Sequence, residues 1–306
     1  MISRFKQWLL ASSVVFLSAC GGDHDPSVLD VARNDAQFSI LVEAVQTAGL
    51  QTRLDEGGPQ TLFAPTDAAF ASLLTELGLT KEQLLADTAL LTSVLSYHVL
   101  PTQVNKDAVP LGKAVTTVEG GFFKVESGAG GALTVQDGRN RIATITAADR
   151  PARNGVVHVV DKVLLPANRN IVQTAQALPD FSILVEAVVA ADLAGALSGP
   201  GPFTVFAPTD AAFAQLLVDL GITKAQLLAN TALLTSVLKY HVISGRVLKA
   251  DVPLATPIQT LETGKSFTVD ATLAITDAQG NIAQIVATDV FTSNGVIHVI
   301  DKVILP

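Results

Sequence analysis

The 306-residue chain has a single cysteine, Cys20, at the end of its first apolar run. It can therefore form no internal disulfide, and it offers neither a thiolate set for a metal nor a cysteine nucleophile beyond that point. Charge is sparse as well: 16% of residues are charged against 49% hydrophobic, the balance of a core-forming chain and not of a disordered one. Basic clusters are missing. Formal charge is −8, and removing residues 1–19 takes away Arg4 and Lys6 and no acid, leaving 18 basic residues against 28 acidic. This argues against a nucleic-acid partner and against electrostatic docking on anionic lipid. No GxSxG elbow, phosphate loop or dinucleotide fingerprint occurs.

What is present begins with MISRFKQWLLASSVVFLSAC. A short cationic start and an apolar run from Trp8 to Leu17 are too short to span a bilayer comfortably but suit a signal-peptide core. Leu17-Ser18-Ala19-Cys20 resembles the bacterial lipoprotein processing box. The resemblance implies a signal peptide over 1–19, lipidation of Cys20 and a polar tether over 20–26. Several acyl chains on one cysteine would anchor firmly, at about 0.8 kcal/mol per buried methylene. Gly21 stands where an Asp would suggest inner-membrane retention. The expected location is the cell envelope, on the outer membrane or facing the periplasm if the cell has two membranes.

The remainder is one unit written twice. FSILVEAV at 38–45 recurs at 181–188, TLFAPTDAAF at 61–70 recurs as TVFAPTDAAF at 204–213, and LSYHV at 95–99 recurs as LKYHV at 238–242. At this offset of 143, 44 of the 62 positions from 38 to 99 are identical. The offset falls to 140 for NGVVHVVDKVLLP (154–166) and NGVIHVIDKVILP (294–306). A unit this long is a domain and not a solenoid repeat, so domains are expected over 27–166 and 170–306. The linker Ala167-Asn168-Arg169 is short enough to hold them in or near contact.

Each unit reads as helices and then strands. Phe181, Leu184, Val185 and Val188 fall at i, i+3, i+4, i+7 behind Asp180 as a plausible N-cap. TLFAP reads as a strand feeding a helix capped by Thr66, with Asp67 in its first turn; Thr209 and Asp210 repeat the arrangement. The second half is punctuated strands ending in GVVHVVDKVLLP, apolar on both faces and so a central strand. Helices followed by strands predict an α+β fold with an antiparallel or mixed sheet.

The histidines invite a chemical reading. His98 closes an apolar stripe with Leu91, Val94 and Leu95, and His241 does the same with Leu234, Val237 and Leu238. The expectation is a buried, hydrogen-bonded histidine, with Asp67 or Thr66 as partner, serving as a structural tie. His158 and His298, between apolar strand residues, are read as core ties as well. The alternatives are a hydrolase using His98 or His241, and a carrier of a small apolar ligand. Ser72 and Ser96 lie in helical stretches and not on strained turns, and Gln215 and Lys239 replace them in the copy, so neither unit looks better equipped for nucleophilic catalysis than the other. Two histidines and Asp67 lack the further convergent ligand a zinc site needs, so no metal is expected. Asp161-Lys162, repeated as Asp301-Lys302, reads as a strand-end ion pair, and Asn154-Gly155 as a positive-φ turn.

Together TLFAPTDAAF, the Tyr-His helix end and NGVVHVVDKVLLP resemble the homology blocks of fasciclin domains, in order and twice. The resemblance implies two tandem fasciclin-like domains, each a β-wedge of two small sheets packed with several helices. It also implies adhesion or matrix-like interaction without catalysis or cofactor. In animal members integrin contacts are assigned to the Tyr-His region, which maps onto Tyr97, His98, Tyr240 and His241. A second assigned contact, an Asp-aliphatic pair, maps onto Asp289-Val290; the first unit has Asp149-Arg150-Pro151 there, a departure. The implied protein is a lipid-anchored envelope protein binding a cell-surface or matrix protein or a polysaccharide.

Overall fold

The computed structural model describes residues 25–306. The signal-peptide and Cys20 expectations lie outside the described residues. The first unit runs α1 (Val28–Arg33), α2 (Ser39–Thr47), α3 (Gln51–Glu56), β1 (Gln60–Pro65), α4 (Asp67–Leu77), α5 (Lys81–Ala86), α6 (Thr88–Tyr97) and β2 (Val99–Leu100). Then come β3 (Ala114–Thr116), β4 (Phe122–Ser127), β5 (Leu133–Gln136), β6 (Ile142–Ala152) and β7 (Gly155–Val160). The second unit repeats the order: α7 (Ile171–Gln176), α8 (Ser182–Ala190), α9 (Ala194–Ser198), β8 (Phe203–Pro208), α10 (Asp210–Leu220), α11 (Lys224–Ala229), α12 (Thr231–Tyr240) and β9 (Val242–Ser244). It closes with β10 (Ile258–Gln259), β11 (Ser266–Val269), β12 (Ala274–Thr276), β13 (Ile282–Thr292) and β14 (Gly295–Ile300).

Each unit is α+β, with a mixed seven-stranded sheet in the order β2-β1-β7-β6-β5-β4-β3 in the first. The two halves of the wedge share β6. Its first residues pair with β5 and its later ones with β7, and register shifts between Ile145, Ala147 and Arg150 bend it where it changes partner. A bulge adds residues to one strand only and so turns it. β7 is central, parallel to β1 and antiparallel to β6, and all six of its residues are buried. Its Val157 and Val159 face a core built with the helices, while Val160 faces a second core with Phe63, Tyr97 and Phe123 inside the wedge.

Parallel pairing of β1 with β7 brings Gln60 opposite Gly155. A Cβ on Gly155 would sit inside the van der Waals envelope of the Gln60 carbonyl, and one on Gly295 inside that of Phe203. Glycine is needed there for close approach of backbone. Arg153 and Asn154 form the turn between β6 and β7, with Gly155 at φ 157°, and the asparagine adds side-chain bonds. Asn154 accepts from the Val28 N–H (2.9 Å) and donates to the Leu54 and Gly57 carbonyls (2.8 and 2.7 Å), and Asn294 accepts from Ile171 (2.9 Å).

Two local expectations are corrected. Asp180 does not cap α8: it lies in a 3-10 turn, and α8 has no cap from its own flank. Asp161 and Asp301 are not ion-paired to the lysine that follows. Each accepts a backbone N–H across the sheet, from Thr144 (2.6 Å) and Gln284 (2.7 Å).

Candidate functional site

The block APTDAAF divides two capping tasks between adjacent residues. Thr66 caps its own helix by accepting from the Ala69 N–H, as Thr209 does from Ala212. Asp67 turns away and caps the neighbouring α2, accepting from Ser39 Oγ (2.6 Å) and the Ile40 N–H (2.8 Å). Asp210 holds Ser182 Oγ and the Ile183 N–H at the same distances. A carboxylate at a helix start satisfies otherwise unpaired donors and complements the dipole. So Asp67 and Thr66 are not the partners of His98.

The histidine's partners are backbone atoms. Nδ1–H of His98 donates to the Val94 carbonyl (2.7 Å) one turn back, and Nε2 accepts from the Leu164 N–H (2.9 Å) beyond the end of β7. His241 repeats this with Val237 (2.7 Å) and Ile304 (3.1 Å). One nitrogen must donate and the other accept, which fixes the neutral tautomer. Burial drives the pKa of both imidazoles down to about 4, the carbonyl bond opposing it only in part. His158 uses the opposite tautomer: Nε2–H donates to the Val104 carbonyl (2.9 Å) and Nδ1 accepts from the Asp149 N–H (3.2 Å). His298 matches it with Val247 (2.9 Å) and Asp289 (3.2 Å). With all ring nitrogens bonded to backbone, these histidines have no free lone pair for general-base catalysis.

The contact residues carried over from the family resemblance are not at the surface. Tyr97, His98, Tyr240 and His241 are at most 2% exposed. The Tyr97 hydroxyl donates to the Phe122 carbonyl, and Tyr240 Oη to that of Ser266 (2.8 Å). Each Tyr-His pair therefore reaches in two directions from one helix end: the tyrosine to the far half of the sheet, the histidine to the exit of the central strand. Burial raises the Tyr97 pKa well above its ordinary value.

Asp289 is also enclosed, being 1% exposed, and Val290 is half-buried against the second helical core. The β13 bulge sets Asp289 at φ 59° and the equivalent Asp149 at φ 58°, left-handed values that a short polar side chain tolerates. Asp149 Oδ1 accepts from the Lys106 N–H and Asp289 Oδ1 from Lys249, both at 2.8 Å. In the second unit the remaining oxygen takes Lys124 Nζ of the first unit at 2.8 Å, with both side chains buried. Burial opposes the Lys124 charge, but its bonds to Asp289 and Glu126 outweigh that and raise its pKa.

Around this ion pair lies an interdomain clasp that the sequence reading did not find. Phe122 packs against Phe291 with the rings tilted at 55° (centroids 4.7 Å apart), the Arg246 guanidinium carbon lies 3.8 Å from the Phe122 ring centroid, and Leu248 and Val296 complete the cluster. Gln136 donates to the Asp289 carbonyl (2.7 Å), and Asn140 both accepts from the Phe291 N–H (2.7 Å) and donates to its carbonyl (3.1 Å). A partial signal was available in the repeat, where Phe291 aligns with Pro151 at the offset of 140. The structure extends it: the equivalent Tyr97–Phe122 and Tyr240–Ser266 bonds place Phe122 and Lys124 opposite Ser266 and Thr268, so the units diverge where they touch.

Among the described residues no cluster of His, Cys, Asp and Glu could hold a metal. The second unit has two apolar recesses: one bounded by Phe213, Leu216, Leu227 and Leu234, of about 230 Å³, and one at the Tyr-His helix, bounded by Ile171, Leu184, Leu238 and His241, with about 30 Å³ of free space. The recess beside His241 has room for about one water and none for an apolar ligand.

Comparison with known proteins agrees with the duplicated architecture. The fasciclin domain model matches residues 36–166 and again 179–306. Transforming growth factor-beta-induced protein ig-h3 of Sus scrofa is 29% identical over 263 residues, 85% of this chain and 37% of that protein. Protein sll1483 of Synechocystis sp. is 42% identical over 151 residues, covering 48% of this chain and 79% of its own length. This chain thus spans little more than a third of the ig-h3 protein. A solved FAS1 domain pair from the insect cell adhesion molecule Fasciclin I covers 90% of the chain at 21% identity and a TM-score of 0.45. The chain belongs to the fasciclin domain family, with two such domains in tandem.

Proposed function

We propose that this is an adhesion or interaction protein of the cell envelope, tethered by acyl chains on Cys20, that presents a clasped pair of fasciclin domains to a surface or matrix protein or a polysaccharide. The observation that carries the reading is the clasp: a buried Lys124–Asp289 ion pair and a tilted Phe122–Phe291 ring contact make one body of two domains. A two-domain body offers a wider and better preorganised contact surface than two domains on a free linker, which favours binding by lowering the ordering cost. The hydrolase alternative loses its base, because both ring nitrogens of His98 and His241 are bonded to backbone.

Deleting the gene or replacing Cys20 by serine should lower surface attachment and biofilm formation. Complementation with the unaltered chain should restore both. Attachment that stays at the parental level across abiotic, protein-coated and polysaccharide-coated surfaces would overturn the proposal.

A further inference from the structure

The two copies of the β5–β6 turn give an internal control. In each, a buried aspartate organises the turn and ties it to the chain's exit from the central strand. Asp137 accepts from the Arg139 and Arg141 N–H groups (both 2.9 Å) and from Leu165 (3.0 Å). Asp277 accepts from Gln279 (2.9 Å), Asn281 (2.8 Å) and Leu305 (2.9 Å). Asn281 Nδ2 supplies the side-chain bond to the aspartate (3.0 Å) that Arg141 supplies in the first unit. Glutamine and asparagine therefore meet the fold's requirement, and the arginines at 139 and 141 exceed it.

Those extra cations sit in a cleft between the two domains, beside a third arginine, Arg169 of the linker. Three of the chain's nine arginines meet there, in a protein of formal charge −8. Arg141 is committed to Asp137 and Glu76 (2.8 and 2.9 Å), and Asp289 on the opposite wall is committed to Lys124. Among the described residues, no carboxylate pairs with Arg139 or Arg169. Arg139 Nε is buried and has no hydrogen-bond partner, a costly state for a charged donor. Burial, reinforced by the neighbouring Arg141, lowers the pKa of Arg139. The cleft holds about 640 Å³, within the roughly 300–1,000 Å³ range of small-molecule sites. Asn168, Thr174 and Thr288 also line it, and among the described residues their side chains make no hydrogen bond to protein.

From this placement we infer that the cleft binds an acidic saccharide segment, with Arg139 and Arg169 holding its oxyanion and Asn168, Thr174 and Thr288 meeting its hydroxyls. The guanidinium fork matches a planar carboxylate or one edge of a sulfate, and the amide and hydroxyl side chains can both donate to and accept from ring hydroxyls. The inference rests on the interaction role proposed above and names a site and ligand class for it.

The test is calorimetric titration of the full chain in detergent with four probes: a galacturonate oligomer, a sulfated glucan oligomer, a neutral malto-oligosaccharide and hexaglutamate. At least one acidic oligosaccharide should bind, more weakly as salt is raised, while the neutral one should not; which of the two binds identifies the oxyanion. The paired R139Q and R141N changes, which copy the second domain, should weaken binding about tenfold or more while leaving the melting temperature near the parental value. R169Q, on an exposed residue of the linker, provides a second variant with little risk to folding and should also weaken binding. Failure of both acidic saccharides to bind would overturn the site, as would undiminished binding by both variants. Hexaglutamate binding as tightly as the saccharide would overturn the saccharide assignment. If gene deletion abolishes attachment but cells carrying R139Q and R141N attach normally, the cleft falls and the interaction role stands.

Discussion

Protonating His98 would force a second N–H against the Leu164 N–H, because Nε2 is the acceptor of that bond. The imidazole is therefore held neutral, with a folded pKa of about 4 against an ordinary value of 6.5, and His241 is the same. The unfolded chain binds protons in this interval and the folded chain does not. The histidines' contribution is fully present above about pH 6.5 and is lost as pH falls toward 4. Each histidine forfeits up to about 3 kcal/mol over that window. Denaturant titrations at pH 7, 5.5 and 4 should show the midpoint falling with pH, and an H98A, H241A double variant should flatten the slope. His98→Ala alone should destabilise the first domain by about 2–4 kcal/mol, since it empties a buried site and strands the Leu164 N–H. A melting temperature equal to that of the parent would contradict the two-sided tie. That His98 is buried could be read from its apolar stripe. Its partners could not, because a backbone N–H contributed 66 residues later leaves no mark in residue type.

Between elements, the same limit separates Thr66 from Asp67. A capping threonine acts on its own helix, a local relation visible in sequence, and α4 begins where Thr66 places it. Asp67 caps a helix 27 residues earlier, which requires knowing that α4 lies against α2. Replacing Asp67 by Ala should cost about 1 kcal/mol by removing the donors' partner at the start of α2. Thermal unfolding of the D67A variant, set against a Ser72→Ala control on the exposed face of α4, checks the value. The central strand was legible for a different reason: apolar residues on both faces of GVVHVV admit only a position with both faces covered. The bend of β6 was not, since it arises from a change of pairing partner and not from a glycine or proline at the bulge.

At the scale of the molecule, the clasp turns tandem repeats into a single body. Lys124→Ala leaves the Asp289 charge buried without its cation, a change that costs about 3–5 kcal/mol for comparable buried pairs. Because the pair spans the domains, the expected result is loss of interdomain docking before either domain melts. Small-angle scattering should show a larger radius of gyration for K124A, and calorimetry should resolve two transitions where the parent shows one. Lys124→Thr combined with Asp289→Asn should recover part of the loss, as no charge is then left unpaired. An unchanged scattering profile for K124A would show that the Phe122–Phe291 contact and the Gln136 and Asn140 bonds hold the domain arrangement without the ion pair.

Duplication, the order of helices and strands, the capped start of α4, the buried histidines and the family were all determined by sequence alone. Each rests on periodicity, local capping or ordered motifs, relations between residues near one another along the chain. Tertiary structure decided which atoms the histidines and Asp67 bond, that Tyr97 and Asp289 are enclosed, and that Arg139, Arg141 and Arg169 share a cleft. Those facts depend on residues tens to more than a hundred positions apart meeting through backbone atoms and a specific domain docking, and neither composition nor spacing encodes such a meeting.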